Sequence, residues 1–305
     1  MDKDFMIIQH RSELNFRLDE LEPMQTPGRV LMVRPTYFDI EYVINPHMEG
    51  NIGQVDKDQA MKEWEALENA YREVGLDVPI LEGAEGYPDM VFCANQSFPY
   101  LDRNGTRNVI MSRMAHPQRR GEVEYIRNWY AGQGYHIHQL NEVSSNPEMS
   151  YFEGMGDALW HYGKRLIWGG YGYRTSLEIY SQISELTQTD IIALELTSPE
   201  FYHLDTCMSI LDDEHVLIYP EAFTQDGLDL IYTVFPHVIE ANTHEAAKMF
   251  AVNACCPDGK HVFIQEGCAD ANQKMRDHGF DVREFSTLEY MRSGGSVFCM
   301  KMMLW

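Results

Sequence analysis

Basic residues are scarce in this chain: 24 Lys and Arg stand against 47 Asp and Glu, a formal net charge of −23. Phosphate backbones are bound by clustered Lys and Arg, and no basic stripe interrupts the acidic sequence, so nucleic acid is excluded as a partner. A solvated acidic surface suffices to explain the charge, although it would also favour a cationic ligand. No apolar run approaches the roughly 20 residues of a membrane-spanning helix. The charged start, MDKDFMIIQHRSELNF, lacks the apolar stretch of a secretory signal. Both absences predict a cytoplasmic protein with no membrane partner. The cysteines are Cys93, Cys207, Cys255, Cys256, Cys268 and Cys299, and they form neither CxxC pairs nor a zinc-ligand spacing. They are therefore expected to be free thiols, most of them small buried hydrophobes. A GxGxxG after a first strand is missing too, and GGYGYRT (169–175) has the wrong spacing for a dinucleotide site. Nor does a Pro/Gly/Ser-rich linker divide the 305 residues, which are enough for a sizeable core.

What is present alternates between strand-like and helix-like segments. RVLMVRP (29–35) reads as a strand. Residues 58–75 read as an amphipathic helix, with Met61, Trp64, Leu67, Tyr71 and Val74 at helical spacing and Gly75 as its stop. MVFCA (90–94), NVIMS (108–112), IIALELT (191–197), HVFIQE (261–266) and SVFCMKM (296–302) read as strands. MSIL (208–211) and HVLIYP (215–220) read as a hairpin. VGLDVPIL (74–81), QGYHIHQL (133–140) and HGFDVREF (278–285) share one pattern, a helix end at glycine followed by a half-buried strand. Three copies of it favour one domain assembled from similar blades over a doubly wound sheet.

Four segments carry side chains suited to chemistry. In SGGSVFCM (293–300), glycines before Cys299 let backbone approach a ligand at the sulfur; a buried structural cysteine in a last strand would look the same. In YHLDTC (202–207), His203 and Asp205 stand two residues apart, so on an extended segment both would face one ligand, one as acid and base, the other holding a cation. FEGMGDALW (152–160) places Glu153 and Asp157 in a glycine-punctuated loop entering a strand. PDMVFCANQ (88–96) places Asp89 and Asn95 on either side of a short strand, where turn and cap roles would also explain them. Taken together, a cysteine, a histidine and several carboxylates suit one task. Carboxylates can fix a planar guanidinium by paired hydrogen bonds and present its poorly electrophilic carbon to a thiolate.

The ordered set RPTYFDIEYVINPHM (34–48), PDMVFCANQ, FEGMGDAL, GYGYRT, YHLDTC and SGGSVFC resembles the guanidino-modifying superfamily of arginine deiminases, dimethylarginine dimethylaminohydrolases, amidinotransferases and arginine dihydrolases. The resemblance implies an α/β fold, a five-bladed propeller with pseudo-fivefold ββαβ repeats, occupying residues 29–305 as a single domain behind an N-terminal extension (1–28). It implies Cys299 as nucleophile, His203 as general acid and base, and Glu153 as the acidic residue that orients the histidine and binds guanidinium. Asp205 and Asp89 match carboxylates that hold guanidinium nitrogens, and Asp157 is a further substrate-binding candidate. Arg113 and Arg174 resemble arginines that take the substrate carboxylate. The segments around 34–48 and Asn95 are most similar to the arginine dihydrolase branch, where an Asn at that place holds the intermediate for a second round. Phe298, where His or another polar residue often stands, and Ser296, inside the glycine run, depart from the pattern. The expected activity is hydrolysis of a guanidino C–N bond of arginine or an analogue, without metal or organic cofactor. An amidinotransferase, a dimethylarginine hydrolase and a non-catalytic arginine-binding protein are the alternatives. Homo-oligomer formation stays open.

Overall fold

A computed structural model describes residues 5–305, so the first four residues of the expected extension lie outside the described residues. The strands form five separate small sheets. Four of them repeat one plan: a short strand runs antiparallel to a second, and a helix then crosses over to a third strand parallel to the second. Ser97–Leu101, Arg107–Met111 and His136–Gln139 make one such unit around helix Glu122–Gly132. Ala158–Trp160, Ile167–Tyr171 and Ile191–Glu195 make the next around Tyr180–Thr187. Met208–Ile210, His215–Ile218 and His237–Glu240 follow around Gln225–Val234. In the unit containing Arg29–Val33 and Ile80–Leu81, around helix Lys57–Glu73, the antiparallel strand is Met302–Leu304, so the two ends of the chain close one sheet. The remaining unit pairs His261–Gln265 with Asp281–Phe285 around Ala269–Asp277, and a single bridge between Cys255 and Phe263 replaces its antiparallel strand.

The recurrent glycine has a visible cause. Gly75, Gly134 and Gly279 follow their helices at φ of 89°, 75° and 93°, a region open to glycine at little cost. Gln188 does the same work after helix Tyr180–Thr187 at φ 51°. Upstream of residue 29 the chain is not detached from the rest: Ile7–Ile8 add a parallel edge strand to Ile191–Ile192, and Pro23 bridges Lys164. No helix among the described residues is long and apolar enough to cross a membrane.

Two expected strands are absent, and both omissions shape the site. MVFCA is a 3-10 turn, Pro88–Val91, with the true strand starting at Ser97. SVFCM is a turn as well, and the last strand is confined to Met302–Leu304. Apolar residues in a short run can be buried in either conformation, which is why periodicity alone misread them. In the same way, His203 and Asp205 do not share an extended segment: His203 caps, and Asp205 lies within, the 3-10 turn Leu204–Thr206.

Candidate active site

Every unit delivers its chemical groups from the segment that enters its antiparallel strand. Asp89 and Asn95 precede Ser97; Glu153 and Asp157 precede Ala158; His203 and Asp205 precede Met208; Asn253 precedes the Cys255 bridge; Cys299 precedes Met302. The entrances that carry Asp89 and Asn95, His203, and Cys299 line a small cavity together with Arg174 and Gly295, and Glu153 and Asn253 are hydrogen-bonded to His203 and to Cys299.

Cys299 is 3% exposed. Its thiol donates to Asp205 Oδ2 at 3.2 Å and accepts from Asn253 Nδ2 at 3.2 Å. Burial and the adjacent Asp205 carboxylate push the thiol well above its ordinary range and favour its protonated form. Burial also raises Asp205, to about 7. Its other oxygen, Oδ1, is buried without a hydrogen-bond partner and is suited to accept from an incoming cation. The glycines before the sulfur earn their place by contact, since a Cβ on Gly295 would meet the Phe92 ring at 2.5 Å.

His203 lines the same cavity, with its tautomer set by neighbours. Nε2 lies 2.8 Å from Glu153 Oε2, and the depressed carboxyl there makes the imidazole the donor. Nδ1 is then left as the lone-pair nitrogen, 3.5 Å from Asn95 Nδ2. Burial lowers His203 to about 4, against the pull of Glu153, so the ring is a neutral base. Burial acts to raise Glu153, but the Arg174 guanidinium and His203 hold it well below the usual carboxylate range. Its oxygens are filled by Arg174 Nη1 at 3.1 Å, by His203, and by the Ala115 amide at 3.0 Å. The geometry therefore gives Glu153 the orienting half of its expected role.

The remaining candidates divide. Asp89 lines the cavity, accepting from Tyr42 Oη at 2.8 Å and Ser293 Oγ at 3.1 Å, and burial raises its carboxyl. Arg174 lines it too, stacked 4.7 Å over Tyr202 and donating to the Ile44 carbonyl. Asp157 does not reach the cavity: Oδ1 accepts from the Leu204 amide at 3.0 Å and Oδ2 from Thr175 Oγ1 at 2.7 Å, so it braces the turn that carries His203. Arg113 points elsewhere, to the Leu140 carbonyl and Glu142, because its backbone is bridged to Phe152 and its side chain leaves toward solvent. The family departures are accounted for by packing. Ser296 Oγ shares a 2.6 Å hydrogen bond with Thr287, and the Phe298 ring lies under Lys301 Nζ at 3.1 Å.

Two residues escaped the sequence reading. Arg119, buried in the one-turn helix Pro117–Arg120, donates to Asn95 Oδ1 at 2.7 Å and to the Asp89 and Phe92 carbonyls. Asn253 holds the nucleophile's loop: Oδ1 accepts from the Ser296 and Cys299 amides, and Nδ2 donates to the Asp205 carbonyl as well as to the sulfur. The signal that would have found it is positional, the entrance of the fifth unit. Replacing Asn253 with Ala leaves two buried amides unpaired, an expected loss of about 1–3 kcal/mol in stability. It also frees the sulfur's position, for roughly a 10²-fold fall in kcat/KM. Thermal melting and steady-state kinetics read the two effects separately.

The arrangement thus defines a class, a buried cysteine with a carboxylate-oriented histidine and further carboxylates around a small cavity. The chain belongs to the N,N-dimethylarginine dimethylhydrolase family, whose eukaryotic model matches residues 34–305. It is 33% identical to the bifunctional arginine dihydrolase/ornithine cyclodeaminase ArgZ of Synechocystis, over 89% of this chain and 37% of that protein. It is 32% identical to the N(G),N(G)-dimethylarginine dimethylaminohydrolase of Mycobacterium tuberculosis, over 89% of this chain and 84% of that one. The chain spans little more than a third of the bifunctional relatives it matches. Among solved structures, the N-terminal domain of an ArgZ variant covalently bound to a reaction intermediate superposes with a TM-score of 0.83 at 32% identity, covering 91% of this chain and 97% of that one.

Proposed function

We propose that this protein hydrolyses the guanidino group of arginine through a covalent Cys299 intermediate, as an arginine dihydrolase. The observation that carries this reading is the cavity lined together by Cys299, His203, Asp89 and Asn95, with Asp205 bonded to the sulfur through Oδ2 and its Oδ1 unpaired. The guanidinium lies against Asp89 and Asp205, which draw its N–H groups by charge-assisted hydrogen bonds. Sγ attacks the central carbon as its proton passes to His203 Nδ1; the C–N bond breaks as His203 hands that same proton to the nitrogen that departs as ammonia. His203 then takes a proton from water, which adds to the same carbon and releases the sulfur. Arg174, at the cavity wall, takes the substrate carboxylate. Asn95, held by Arg119, supports retention of the ureido group for a second round, giving ornithine, carbon dioxide and two ammonia molecules. The five repeated units, each placing polar side chains just before its antiparallel strand or bridge, support the five-bladed propeller arrangement with pseudo-fivefold symmetry.

A second reading is hydrolysis of dimethylarginine to citrulline and dimethylamine, favoured by the family to which the chain belongs. Incubation with arginine, dimethylarginine and agmatine, with products read by mass spectrometry, separates the two. Ornithine with two ammonia per arginine is expected. Citrulline and dimethylamine would move the assignment to the second reading, and no product from any guanidine would overturn both.

A further inference from the structure

Three histidines meet away from the cavity, at the seam between the unit of strand His215–Ile218 and the unit of helix Ala269–Asp277. We propose that His215, His237 and His278 bind a divalent transition-metal ion, with Zn²⁺ as the fitting class. His215 and His237 open two parallel strands and are direct partners in the ladder. Their rings stack with centroids 4.5 Å apart at 19°. His278 caps the C-terminus of helix Ala269–Asp277, and its ring stands 5.1 Å from His215 and 5.6 Å from His237. One ring nitrogen from each lies within 4.8 Å of the other two.

Tetrahedral zinc with Zn–N of about 2.0–2.1 Å requires ligand nitrogens about 3.3 Å apart. The rings must close by roughly 1.5 Å to reach that spacing, and the exposed His237 and His278 side chains have room to turn. His215 is the fixed ligand. Its Nδ1 is 2.9 and 3.0 Å from the two Asp212 oxygens, which leaves Nε2 as the lone-pair nitrogen. A carboxylate that pins the far nitrogen is the usual partner of a metal-bound imidazole. Asp212 is itself anchored by the Glu214 and His215 amides at 2.8 and 2.7 Å, and Phe280 packs edge-on against the His215 ring at 5.3 Å. Three neutral imidazoles leave a fourth position for water. The ligands come from well-separated segments, so no spacing motif betrays them in the sequence. A bound ion would tie together the two units that supply His203, Asp205 and Asn253.

The test is equilibrium dialysis of the full chain against Zn²⁺ at neutral pH, beside His237→Ala, His278→Ala and Cys299→Ser variants. The last removes the one thiol that faces the catalytic cavity. One zinc per chain is expected in the wild type and in Cys299→Ser, with binding at least tenfold weaker in both histidine variants. Zinc should raise Tm only in the proteins that retain it. Both substituted histidines are exposed, so the variants stay folded. No retained zinc, or equal retention by His237→Ala and His278→Ala, would overturn the proposal, and so would loss confined to Cys299→Ser.

Discussion

Replacing Cys299 with Ser is expected to lower the proposed turnover of arginine by roughly 10⁴-fold or more while a guanidino ligand still binds. The exchange keeps a hydrogen-bonding group in place of the thiol, so Asp205 and Asn253 keep their partner and the loop keeps its shape. What is lost is ionisation. Burial and Asp205 favour the protonated thiol. An entering guanidinium brings positive charge beside the sulfur and favours the thiolate, whereas an alkoxide stays far out of reach at neutral pH. Steady-state assays read the loss, and calorimetry with arginine reads the retained binding. Intact-mass spectra of quenched wild type should show an adduct that the variant lacks. Wild-type turnover by Cys299→Ser would remove the cysteine from the reaction.

The division between what the sequence disclosed and what it concealed follows a physical line. Cys299, His203, Asp89, Asn95 and Arg174 were legible because each stands in a short motif, and all five line one cavity. The helix stops at Gly75, Gly134 and Gly279 were legible because a left-handed backbone selects glycine. MVFCA and SVFCM were misread as strands because burial, not pleating, makes them apolar. They cross the interior as turns whose amides and carbonyls serve Arg119 and Asn253. Arg119 and Asn253 were missed because the site groups they hold, Asn95 for one and Asp205 and Cys299 for the other, lie 24 to 48 residues away, where no local periodicity reaches; only its place at the entrance of the fifth unit would have pointed to Asn253. Asp157 and Arg113 show the converse. Their residue types suited a guanidinium site, but hydrogen bonds to Leu204 and Thr175, and to Leu140 and Glu142, commit them to other work.

His203→Ala is expected to cut kcat by roughly 10²–10⁴-fold and to leave the covalent adduct visible. Both halves of the reaction need the ring, but unequally. Ammonia can leave with a proton drawn from solvent at a slow rate, whereas activating water needs a base, and Glu153 cannot replace the ring because its oxygens are filled by Arg174, His203 and the Ala115 amide. Hydrolysis of the intermediate should therefore suffer more than its formation, and mass spectrometry of the variant mixed with arginine should show modified chain where the wild type shows little at steady state. The ring's place is sterically prepared, because Gly156 lies so close that an added Cβ would meet the imidazole at 3.3 Å and Asn95 Nδ2 at 2.4 Å. The space left by His203→Ala is then shaped for a free imidazole, and added imidazole should recover part of the turnover. A merely structural histidine would give neither adduct nor rescue. Unchanged kcat in His203→Ala would assign the proton transfers to another group.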